Sequence, residues 1–179
     1  FITDTAVVVW GRMTDSAGEN VGALWKADTS GSPELILRSD VPAPGSAATF
    51  YTSGPPEGFI HDLHSSGDGR AYFGALTSED PLQQLDGGLW RIDDAGDVEL
   101  LALSGSEIEG SDQLTGAILK MLVERPDGSF FFTSAEPGDA TADTARGVLF
   151  QDAGGLIHEI LVAGDVFEVA AGDERTVSF

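Results

Sequence analysis

The chain has 179 residues, 41% of them apolar, with 30 acidic side chains against 9 basic ones and a formal net charge of −21. That apolar share excludes an intrinsically disordered chain, and the charge sets phosphate backbones and anionic lipid against it, so no nucleic acid is expected as partner. No apolar run reaches the ~20 residues that cross a bilayer as a helix, so no membrane span is expected, and the absence of cysteine removes disulfides and thiolate metal sites.

In chain order, the first strand signal is Val7-Val8-Val9-Trp10, an apolar run ending in an aromatic. Gly22-Ala23-Leu24-Trp25 follows, then a turn carrying Asp28 and Gly31, then a β-rich run over 34–38. The same series returns as Ala71-Tyr72-Phe73 after Asp68-Gly69, Gly88-Leu89-Trp90, a turn with Asp93 and Gly96, and a run over 98–103. A third copy reads Phe130-Phe131-Phe132 after Asp127-Gly128, Gly147-Val148-Leu149-Phe150, Asp152 with Gly154, and 156–162. Asp-Gly pairs and Asp/Gly turns between apolar runs are hairpin signals, because Asp bonds its own backbone and Gly supplies positive φ. Three elements in fixed order, recurring about every 60 residues, identify a tandem repeat.

We label the strands of a unit a to d. Strand a is expected at 59–63 and 118–124, b at the aromatic-ended runs, c at the Trp segments and d after the Asp/Gly turn. Ile118, Met121 and Leu122 also fit helical spacing, and strand is expected there because the repeat requires it. The b runs are apolar at consecutive positions, which predicts cover on both faces, as in the middle strands of stacked propeller blades. The expected fold is therefore all-β and β-propeller-like, with three four-stranded blades of about 60 residues. As one domain over 1–179, its repeats fall at 1–57, 58–116 and 117–165, with a fourth unit starting at 166–179. Propellers typically close with about 4–8 blades. This one is expected to be open, or completed by further chain or by partner copies.

The b–c and d–a loops share one face of such a unit. They are long and acidic over 14–21, 39–57, 77–87, 104–116 and 133–146, with Asp15, Glu19, Glu79, Glu107, Glu109 and Asp112 among the carboxylates. Function on repeat scaffolds sits on such loops. The acidic excess reads either as solubility in a saline or extracellular setting or as a site for a cation or basic partner. Candidate metal ligands are Asp62 and His64 on strand a, with Asp80, Asp86, Asp139 and Asp143 in the b–c loops. Calcium suits such oxygen-rich loops, although no Asp-x-Asp-x-Asp-Gly loop is present, and no other cofactor is expected. His61 and His64 would point to opposite faces of a strand, which disfavours zinc. His158 is expected on a d strand at the rim. No nucleophile elbow, Walker loop or GxGxxG occurs, so no catalytic residue is assigned. Trp10, Trp25 and Trp90 fit blade packing better than sugar stacking.

The stretch Leu35-Ile36-Leu37-Arg38-Ser39-Asp40-Val41-Pro42-Ala43-Pro44-Gly45 resembles the R-x-G-D-x-x-P-G segment of bacterial exported proteins with NxxGxxxAF-type tandem repeats. Gly69-Arg70-Ala71-Tyr72-Phe73-Gly74-Ala75-Leu76 and Gly87-Gly88-Leu89-Trp90-Arg91 continue that pattern. The resemblance implies a secreted or cell-surface, propeller-like repeat protein. Pro126-Asp127-Gly128-Ser129-Phe130-Phe131-Phe132-Thr133 and Asp173-Glu174-Arg175-Thr176-Val177 are similar to strand openings of lactonase-like and NHL-type six-bladed propellers. Those lactonases hold a channel metal through an Asn after a Pro, and the matching stretch here, 166–172, contains neither. The function expected is a non-catalytic extracellular module for assembly, or for binding a protein or glycan partner through its acidic loop face. The alternative is a metal-dependent lactonase-like hydrolase.

Overall fold

The computed structural model describes residues 6–14, 16–28, 31–51, 60–65, 70–78, 86–116, 118–135 and 147–178. Among them there is no helix, and the strands form four antiparallel sheets. The first sheet is β1 (Ala6–Thr14), β2 (Asn20–Asp28) and β3 (Pro33–Arg38), in that order. The second holds β4 (Thr49–Phe50), β5 (Ile60–Ser65), β6 (Ala71–Ser78), β7 (Asp86–Ile92) and β8 (Val98–Leu103). Here β6 pairs with β4 and β5 on one edge and with β7 on the other. The third runs β9 (Ile118–Glu124), β10 (Phe130–Ser134), β11 (Gly147–Gln151) and β12 (Ile157–Val162). A last hairpin pairs β13 (Val166–Ala170) with β14 (Asp173–Thr176). The segment with helical spacing at Ile118 is a strand: pairing with β10 overrides local periodicity.

Tight turns with a left-handed glycine make these hairpins. Gly96 N–H donates to the Asp93 carbonyl at 3.0 Å with φ of 93°, while Asp97 N–H donates to Asp93 Oδ1 at 2.9 Å. Gly155 N–H repeats this on the Asp152 carbonyl at 3.0 Å with φ of 89°, and Leu156 N–H donates to Asp152 Oδ1 at 2.9 Å. The third turn therefore uses Gly155 for its positive φ, not the expected Gly154. Gly128, bonded to the Arg125 carbonyl at 3.0 Å, closes the β9–β10 turn in the same way.

Hydrogen bonds from Ser129 hold the Asp127 carboxyl below the usual aspartate value, and those from the Leu156 backbone do the same for Asp152. A depressed folded pKa gives stability that is present above the unfolded value and lost as pH falls through the folded one. The two turns should therefore stay intact when most aspartates begin to protonate. Carboxyl-carbon NMR titration should give both residues midpoints below the mean of the exposed aspartates; midpoints at that mean would break the assignment.

The second sheet is packed on both sides. Phe73 and Trp90 form one cluster with Val8, Leu24 and Leu37 of the first sheet. Tyr72, Leu89 and Ala102 form another with Phe130, Phe132, Leu149 and Ile157 of the third. Neighbouring residues on a strand point to opposite faces, so β6 is buried nearly throughout. The terminal sheets are not. Val9 on β1 and Val123 on β9 are each 50% exposed, and β10 alternates between buried and half-buried residues. Two-sided cover thus holds for the middle b run only, because the first and third sheets each have one neighbour among the described residues.

The third sheet also shifts its register. Strand c faces a bulge in strand d between Leu24 and Trp25 and again between Leu89 and Trp90, but between Val148 and Leu149 in the third sheet. Leu149, not Phe150, therefore takes the place of Trp25 and Trp90. Asp152 follows Leu149 at the spacing by which Asp93 follows Trp90, which agrees with this alignment. Phe150 turns to the outer face, where it packs against Phe131 at 4.8 Å.

Candidate functional site

The β8–β9 connection, 104–116, is tied down along its length. Gly105, at φ of 78°, donates to the Thr115 carbonyl at 2.7 Å, and Thr115 N–H returns a bond to Ser106 O at 2.9 Å. The hydroxyls of Ser106 and Thr115 both donate to the Leu103 carbonyl, at 2.7 and 3.1 Å. Farther out, Glu109 N–H donates to the Ile157 carbonyl at 2.7 Å, and Ile108 bridges Ile157 in parallel fashion. The connection leaves the second sheet and docks onto the outer strand of the third. Sequence reading gave this segment as an acidic loop; the apolar Ile108 within it, buried against the third sheet, was the signal that it folds back on the sheets.

Between β8, β12 and this arm lies a cleft of about 800 Å³. Leu101, Leu114, Leu156 and Ile157 supply its apolar lining, and Glu107, Glu109 and Asp112 its acidic one. His158 on β12 stands beside it, half-buried, with Nδ1 3.0 Å from Glu109 Oε2 and Nε2 3.4 Å from Asp152 Oδ2. It joins the arm, the β11–β12 turn and the strand, a more enclosed position than the rim placement expected from sequence. A smaller cavity of about 270 Å³ lies at the turn end, lined by Arg70, Arg91, Asp93, Asp97, Val98 and Glu99.

The first d–a connection behaves differently from the long acidic loop expected. Ala43, Ala48 and Phe50 are buried, Pro44 accepts a hydrogen bond from the Trp90 indole at 2.9 Å, and β4 joins the second sheet. Sequence reading missed Phe50 as a core residue, although an aromatic at the end of a small-residue stretch was its one visible signal.

Of the expected metal ligands, only the side chain of Asp62 lies among the described residues. Asp62 lies half-buried on β5 opposite Gly74, and His64 lies on the same strand opposite Tyr72. Asp86 opens β7 opposite Thr77. The side chains of His64 and Asp86, and all of Asp80, Asp139 and Asp143, lie outside the described residues. Among the described residues, no three His, Asp or Glu side chains come close enough to hold a metal ion. The tryptophans differ: Trp90 is fully buried, Trp25 half-buried and Trp10 exposed. Among the described residues no helix is long and apolar enough to cross a membrane.

No curated protein matches the chain. The model of a protein family of unknown function, DUF7453, matches residues 4–179, and the chain belongs to that family.

Proposed function

We propose that the chain is a propeller-like stack of blades, exported to the cell surface or beyond, that binds a partner without catalysing a reaction. Burial of the second sheet on both faces supports the blade reading: Phe73 and Trp90 pack one way and Tyr72 and Leu89 the other. The binding reading rests on the cleft. Its connection is held by backbone and hydroxyl bonds, so little ordering entropy is lost on binding. An apolar lining beside three carboxylates suits a segment that offers apolar side chains and cationic ones together. A basic, leucine-bearing protein segment fits this better than a sugar, because no tryptophan lines the cleft.

The test is calorimetric titration with a short peptide alternating Leu and Lys. It should bind, and binding should weaken as salt rises. Glu107→Gln, Glu109→Gln and Asp112→Asn combined should weaken it about tenfold, the sum of three rim charges at roughly 0.2–1 kcal/mol each. A Leu/Glu peptide should show no heat. Equal affinity of the triple variant would remove the cleft from the reading.

A further inference from the structure

The stack uses one interface twice, with matching residues. In register, Val8, Leu24 and Ile36 of the first sheet correspond to Tyr72, Leu89 and Leu101 of the second, and to Phe131, Val148 and Ile160 of the third. On the opposite face, Val9, Trp25 and Leu35 correspond to Phe73, Trp90 and Leu100. Within the chain, Val8 and Leu24 pack on Phe73 and Trp90, and Tyr72 and Leu89 pack on Phe132 and Leu149. Each contact joins the forward face of one sheet to the rear face of the next.

One forward and one rear face remain without a neighbour among the described residues. On the forward face of the third sheet, Phe131 and Val148 are half-buried and Ile160 is 51% exposed. On the rear face of the first, Val9 is 50% and Leu35 43% exposed. We infer that the forward face of the third sheet receives the rear face of the first sheet of a second copy, head to tail, as the sheets meet within the chain. This rests on the stacked-blade reading.

Two observations favour a second copy as occupant. Both halves of the contact are present on one chain and match an interface it already makes. Moreover, the position held by Lys26 and Arg91, which reach across to the next sheet, is held in the third by Phe150. This forward face has an aromatic where the internal interfaces have a cation, so it offers more apolar area to a partner. Faces of this kind on soluble proteins mark interaction sites, and a head-to-tail contact extends to a ring or an open chain of copies. The net charge of −21 opposes self-association at low salt, so raised salt should favour it.

The experiment is sedimentation of the whole chain over a wide concentration range at raised salt. Wild type should grow beyond the monomer with concentration. Val9→Lys, which blocks the rear face, and Ile160→Lys, which blocks the forward face, should each weaken association more than tenfold. Both positions are exposed, and near-ultraviolet circular dichroism checks that the variants keep the wild-type fold. An equimolar mixture of the two should form a one-to-one complex, because one intact interface remains between them. A monomeric wild type, variants that associate like it, or a mixture that stays monomeric would each overturn the second copy as occupant. Hydrogen exchange separates this from the underlying reading. Slow exchange in β6 beside a monomeric wild type removes only the second copy, whereas fast exchange there removes the stacked sheets as well.

Discussion

Gly88→Ala is expected to cost about 3 kcal/mol, the upper part of the range for overpacking a filled core. A Cβ at that position would stand 2.3 Å from Cη2 and 2.6 Å from Cζ3 of Trp90. The indole has nowhere to move. It stacks on Phe73 at 5.5 Å and 12°, meets Phe50 edge-on at 5.1 Å, and donates its N–H to the Pro44 carbonyl at 2.9 Å. Three elements distant in sequence would have to shift together. In the first sheet, by contrast, a Cβ on Gly11 would meet Trp25 Cζ3 at 3.3 Å, and that indole is only half-buried. Gly11→Ala should therefore change stability by less than about 1 kcal/mol, since a strand glycine also gains from a stiffer unfolded chain. Urea denaturation of both variants decides this. An unchanged midpoint for Gly88→Ala would mean the Trp90 cage is looser than described.

The order of strands a to d was legible, β4 excepted, because the hairpin turns between them are made by chemistry that acts locally. An aspartate that caps its own turn and a glycine at positive φ leave little choice of hairpin, as at Asp93–Asp97 and 125–129. What escaped was set by distant partners. The register of strand c depends on where its partner bulges, and in Gly147-Val148-Leu149-Phe150 the bulge falls one residue earlier than the aromatic marks. Likewise, runs such as Val7–Trp10 and Ala71–Phe73 look alike, yet among the described residues only the second has a sheet on each side. Of the site, Glu107, Glu109 and Asp112 were legible as loop acids. The cleft beside them was not, because it exists only when Ile108 and Glu109 reach Ile157 on another sheet.

Glu124→Ala is expected to cost about 3 kcal/mol, the lower end for breaking a buried ion pair, because water reaches the two arginines. The carboxylate ends β9 opposite Phe130 and its side chain is only 5% exposed. Arg70 Nη1 and Arg91 Nη1 reach Oε1 at 3.1 and 3.2 Å, and the hydroxyl of fully buried Tyr72 donates to Oε2. Arg91 also pairs with Glu99. In a chain with 9 basic residues against 30 acidic ones, two arginines converge on the carboxylate at the seam between the second and third sheets. Glu124→Gln keeps the shape and one acceptor, so about half of the loss should remain as charge-assisted bonding that an amide cannot supply. Salt decides between this and a surface pair: screening weakens exposed pairs and barely touches buried ones, so the Glu124→Gln deficit should persist in high salt. A double-mutant cycle with Tyr72→Phe should show coupling of about 1 kcal/mol or more. A deficit that vanishes in salt, with no coupling to Tyr72, would mean that the Glu124 carboxylate does not help to join the two sheets.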